Sequence, residues 1–122
     1  MYQYKAKVIR VVDGDTVYLD LDLGLMVRMV VDVRLVGINT PEIVGPSKEA
    51  GLKSKAFVEQ ALPAGSAAYV QTYKAEKYGR YLADIWYLPG VEDVERIKKE
   101  GRHLNKELLE NGLAEPYMVP KQ

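Results

Sequence analysis

Two short stretches hold most of the residues in this chain that could do chemistry. One is Asp13-Gly14-Asp15-Thr16; the other is the run Arg34-Leu35-Val36-Gly37-Ile38-Asn39-Thr40-Pro41-Glu42. The first joins two strand-like runs by a tight turn with two carboxylates. The second is a strand ending in a polar turn. Both put charged groups where a strand runs into a loop, and there rigid positioning and solvent access coexist. Two acids, an arginine and a further acid can hold a hard divalent cation and a phosphate beside a base. A third stretch, Glu76-Lys77-Tyr78-Gly79-Arg80, supplies a second arginine. Charge and planarity suit Arg34 and Arg80 to phosphate, because a guanidinium donates two parallel bonds and stays ionised. For Asp15 the plain alternative is a turn aspartate that only accepts backbone N–H bonds.

Those residues sit in an ordered set of motifs. Asp13-Gly14-Asp15-Thr16-Val17 comes first, then Arg34 to Glu42, then Lys77-Tyr78-Gly79-Arg80. The run Asn105-Lys106-Glu107-Leu108-Leu109-Glu110-Asn111-Gly112-Leu113-Ala114 closes the set. In order and content the set resembles the staphylococcal nuclease, or thermonuclease, family across nearly the whole chain. The resemblance implies a calcium ion held by Asp15, by residue 39 and by the backbone carbonyl of Thr40. It implies Arg34 and Arg80 on the scissile phosphate and Glu42 as the base that orients or deprotonates water. Lys77 and Tyr78 then contact a terminal phosphate or base. Tyr117 lies near the place where family members stack an aromatic on the base. One departure stands out: Asn39 occupies a position where the family usually has an aspartate. An amide oxygen can bind calcium, but as a dipole and not a full charge.

The elements that must position these groups are legible in the pattern. Residues 4 to 12 read as a strand, and Asp13-Gly14 as a hairpin turn whose residues tolerate positive φ. Val17, Leu19, Leu21 and Leu23 alternate with polar neighbours, the mark of a half-buried strand. Residues 27 to 36 are a third strand rich in β-branched residues. Ser47 is placed to cap a helix whose apolar face carries Ala50, Phe57, Val58 and Ala61. Residues 67 to 73 and 81 to 88 read as strands four and five. A short helix over 104 to 111 ends at Gly112. Mainly β with some α, five strands with a helix after the third and a short C-terminal helix: this order fits a five-stranded OB-fold barrel. The family resemblance singles out that choice.

With 122 residues the chain has the size of one domain, and we read 1–122 as a single unit. The segment 89–102 is extra to the family pattern and reads as a solvated surface insertion. Acid first and base last would suit one or two helical turns there. A substrate edge or a dimer contact is the sharper alternative. There is no cysteine, so neither a disulfide nor a thiolate metal site can form. The lone histidine, His103, cannot build a triad or a zinc site and suits a local role at the last helix. The lack of cysteine and of a signal peptide at the N-terminus favours a cytoplasmic setting, with secretion after leader removal as the alternative. No membrane span is expected, and a monomer is.

The formal charge is zero. Nucleic-acid binders usually carry a basic footprint, so weak, site-focused engagement of DNA or RNA is expected here. The expected activity is calcium-dependent phosphodiester hydrolysis yielding 3′-phosphates. Asn39 keeps a rival alive, an OB module that binds nucleic acid without cutting it. A pure interaction domain using 89–102 is a third possibility.

Overall fold

A computed structural model of the chain describes residues 2–73 and 80–117. Strands β1 (Tyr2–Asp13), β2 (Thr16–Asp22) and β3 (Arg28–Leu35) form an antiparallel meander. Alternation does the work in β2: Val17, Leu19 and Leu21 point inward and are buried, while Tyr18, Asp20 and Asp22 stay part-exposed. In β1 the parity slips. Val8 and Val11 are both buried, while Ile9 between them is exposed, because the pairing with β2 shifts between Val8 and Arg10. Such an irregularity bends the strand and sharpens its twist, which lets a sheet curl into a barrel.

After β3 come the two-residue strand β4 (Ile38–Asn39), a 3-10 turn (Gly45–Ser47) and helix α1 (Lys48–Ala61). Strand β5 (Ala67–Tyr73) pairs antiparallel with β1, and β6 (Tyr81–Tyr87) antiparallel with β5. Val33–Leu35 of β3 then pair in parallel with Tyr81–Ala83 of β6. That last pairing closes a five-stranded barrel, the OB-type architecture. Helix α2 (Val94–Glu100), strand β7 (Arg102–His103), helix α3 (Leu104–Glu110) and strand β8 (Glu115–Pro116) complete the described residues. The main core fills the barrel with Val17, Leu19, Val33, Leu35, Val70 and Ile85, and Val58 from α1 and Leu104 and Leu108 from α3 pack onto it. No helix among the described residues is long and apolar enough to cross a membrane.

Four details differ from the sequence reading. Gly14 does not take a positive φ. Space demands it: a Cβ there would lie 2.8 Å from both Ser54 Cβ and Thr40 Oγ1. Ser47 precedes α1 but does not cap it; its hydroxyl donates to the Glu42 carbonyl at 3.3 Å. Ala50 is exposed, and the buried face of α1 is Gly51, Ser54 and Val58. Small residues win that face because the helix crosses close to the Pro41–Glu42 backbone. A Cβ on Gly51 would sit 2.2 Å from the Glu42 oxygen. Finally, the 89–102 segment is more than a solvated loop. Asp93 caps α2 by accepting the Glu95 N–H, and Ile97 is fully buried against Ala67 and Tyr69. A second apolar cluster thus forms on the outside of β5 and β6.

Candidate active site

The turn between β1 and β2 sets the first acid. Asp13 accepts the Asp15 N–H at 3.0 Å, a turn in which a side chain replaces a backbone acceptor. This frees the Asp15 side chain to point at the β3–β4 segment. Its Oδ2 accepts the Thr40 N–H at 3.2 Å and lies 3.7 Å from Nη2 of Arg34. Its Oδ1 accepts from the Thr16 hydroxyl at 3.4 Å. Asp15 and Arg34 are both largely enclosed, with side chains only 12% and 11% exposed.

Burial dominates the electrostatics. It pushes the Asp15 carboxyl up to about 6, and the facing Asp13 adds to the rise. The Thr40 N–H and the Arg34 guanidinium pull it back only in part. Desolvation disfavours the charged form more than these two partners favour it.

Arg34 points outward from β3, and three groups converge on it. Its Nη2 donates to Asn39 Oδ1 at 3.1 Å, Asp15 faces the same nitrogen, and the Tyr117 ring centroid lies 4.9 Å from Cζ. Arg80 arrives just ahead of β6 and donates from Nη1 to Thr16 Oγ1 at 3.4 Å. The two arginines therefore flank Asp15, one directly and one through Thr16. Glu42 is exposed, with its backbone braced against α1. Asn39 and Thr40 also border a polar groove of about 310 Å³ closed on its other side by Leu113, Ala114 and Glu115. A larger cleft, about 450 Å³ and mostly apolar, lies at the far end of β2 around Tyr4, Leu21 and Met29. It brings no carboxylate to bear on chemistry.

The structure thus gathers Asp15, Arg34, Asn39, Thr40, Arg80 and Tyr117, while the Glu42 side chain is exposed to solvent. Lys77 and Tyr78 lie outside the described residues. Tyr117 meets Arg34 where a base contact was expected. Among the described residues no three acidic or histidine side chains cluster as a metal cage. The oxygens that could hold a cation are the Asp15 carboxylate, the Thr40 main-chain carbonyl and Asn39 Oδ1, which here accepts from Arg34. Hard oxygens of this kind suit calcium over zinc.

Three supporting residues escaped the sequence reading. Thr16 links the second arginine to the acid. Ser54 donates to the Leu113 carbonyl at 2.6 Å and ties α1 to the C-terminal segment. Asn105 is buried and donates from Nδ2 to the carbonyls of Val36 and Ala83, while accepting the Ile85 N–H. That one amide satisfies the main chain where β3 and β6 join. Its place at the head of the Asn105–Ala114 motif was a signal, but one that named no role.

A profile of staphylococcal nuclease homologues matches residues 32–122. The chain belongs to the staphylococcal nuclease family. It is 34% identical over 100 residues to the thermonuclease of Staphylococcus hyicus, covering 78% of this chain and 55% of that protein. For the thermonuclease of Staphylococcus intermedius the figures are 37% over 97 residues, 75% and 54%. An uncharacterized protein of Methanocaldococcus jannaschii is 32% identical over 137 residues, covering 94% of this chain and 60% of that protein. The chain spans 54 to 60% of the length of these relatives.

Proposed function

We propose that this chain is a calcium-dependent nuclease acting on DNA or RNA. The observation that carries the reading is the Arg34 guanidinium set against Asp15 and Asn39, with Arg80 reaching the same acid through Thr16. Two cations from separate segments beside one buried carboxylate are suited to a phosphodiester and not to an apolar substrate. The thermonuclease relatives support the same direction.

Asp15, Asn39 Oδ1 and the Thr40 carbonyl would hold the ion. When bound, it supplies charge neutralisation at the phosphate. Arg34 and Arg80 hold the non-bridging oxygens and favour the charge that builds on them as the transition state forms. Glu42, exposed to solvent, takes a proton from the attacking water. The water oxygen bonds to phosphorus and the bond to the 5′ oxygen breaks; that oxygen takes a proton from solvent water, and Glu42, exposed, returns its proton to solvent. The products are a 3′-phosphate and a 5′-hydroxyl.

Asn39 favours one rival, a barrel that binds nucleic acid without cutting it, because an amide gives the ion a dipole in place of a charge. Purified protein incubated with single- and double-stranded DNA and RNA, with calcium or with chelator, separates the two. Calcium-dependent cleavage supports the nuclease. Retention of oligonucleotide with no cleavage under any condition supports the rival.

A further inference from the structure

We infer that Tyr117 is a positioning residue for Arg34, and that the segment after α3 exists in part to deliver its ring. This rests on the nuclease reading for its kinetic consequence but not for its geometry. Arg34 leaves the outer face of β3 on a long side chain that, unheld, would sample many rotamers. Its charged end is fixed on one edge alone, since Asn39 and Asp15 both address Nη2. The flat face of the guanidinium still needs a constraint, and the Tyr117 ring at 4.9 Å supplies it. A ring over a guanidinium attracts it through its quadrupole and leaves its N–H edges free. Those edges are the ones a phosphate would use.

The delivery is built from main chain. β8 pairs antiparallel with β4, Glu115 opposite Asn39 and Pro116 opposite Ile38. The Tyr117 N–H then donates to the Gly37 carbonyl at 2.9 Å. Asn39 from β4 and Tyr117 just past β8 thus grip the same arginine from the two sides of one small ribbon, one by its edge and one by its face. Ser54 anchors the start of that ribbon through Leu113. The ring is still 43% exposed, so stacking on a substrate base is the competing role, and the two differ in what they predict.

The test uses Tyr117→Ala and Tyr117→Phe in the full chain. Nitrogen-15 NMR of the arginine side chains reads the Arg34 Nε–Hε signal without any substrate. Tyr117→Ala should move that signal and speed its solvent exchange, and Tyr117→Phe should keep both. In kinetics, Tyr117→Ala should lower kcat roughly three- to tenfold with KM little changed, the scale of one lost cation–π contact, and Phe should restore it. The loss should be the same on an oligonucleotide whose sugars beside the scissile phosphate lack bases. An Arg34 signal unmoved in Tyr117→Ala overturns the inference. A loss confined to base-bearing substrate also overturns it. If the wild-type protein cleaves nothing, the nuclease reading falls while the NMR result still decides the role of Tyr117. A Tyr117→Ala protein that fails to fold leaves Tyr117→Leu, which covers the site without a π face and should show the same signal shift.

Discussion

Asp15→Asn should make the metal-free protein more stable while removing its function. The acid is raised from 3.8 to about 6 by burial and by Asp13. Two pKa units correspond to about 3 kcal/mol. The sign follows from proton linkage. Well below pH 3.8 the group is protonated in both folded and unfolded chains and contributes nothing. Between 4 and 6 the unfolded chain ionises first, so stability falls as pH rises. Above 6 the full cost is present. Asparagine keeps the acceptor for the Thr40 N–H if its oxygen takes the Oδ2 position. Its NH₂ then occupies the Oδ1 position near Thr16 Oγ1, beside Asp13. The variant should therefore gain up to about 3 kcal/mol at pH 8, a Tm rise on the order of 10 °C for a domain of this size. Urea denaturation of both proteins in chelator at pH 8 and pH 4 measures it. Taking the difference between them cancels titrating groups that do not touch Asp15; Asp13, which faces it, stays in the difference. The gain should shrink to a small fraction of its size at pH 4, and calcium should stabilise the wild type but not the variant. Equal stability at pH 8, or a gain that persists unchanged to pH 4, would refute the claim that burial strains this carboxylate.

Asn39→Asp adds a unit charge beside Asp15 and should tighten calcium binding, most visibly by calorimetry without nucleotide; unchanged affinity would remove residue 39 from the ligand set. Glu42→Gln should leave oligonucleotide binding nearly intact and cut turnover by ~10²–10⁴-fold, the usual worth of a general base. A wild-type rate and pH profile would make it an ordinary exposed acid. Ile97→Ala should cost roughly 2–5 kcal/mol by denaturant titration, because the side chain is fully buried. A loss below about half a kcal/mol would mean that α2 is not integral to the fold.

How much was legible varies with the range of the interaction. The strands of the meander were readable because a period of two in Val17, Leu19 and Leu21 is a local property of a sheet with one buried face. The bulge at Ile9 was not, since nothing in a run of Val and Ile marks which residue is left out of the ladder. On α1, apolarity pointed to Ala50, but the true contact face is set by what lies opposite. The Glu42 carbonyl leaves room only for Gly51. The family resemblance offered Tyr117 a base; its contact with Arg34 depends on the β4–β8 pairing, which no local pattern shows.

By itself the sequence determined the family, the order of the elements and the residue types that could meet at the site. Motif order and hydrophobic period are properties of the chain alone. Tertiary structure decided which of those residues meet and with what consequence. Closure of β6 onto β3 brings Arg80 to Thr16, and the β4–β8 ribbon brings Tyr117 to Arg34. Burial, which no local pattern fixes, raises the Asp15 carboxyl from the ordinary value of a turn acid to about 6. Such effects depend on what surrounds a group in space, and that is settled only when the barrel closes.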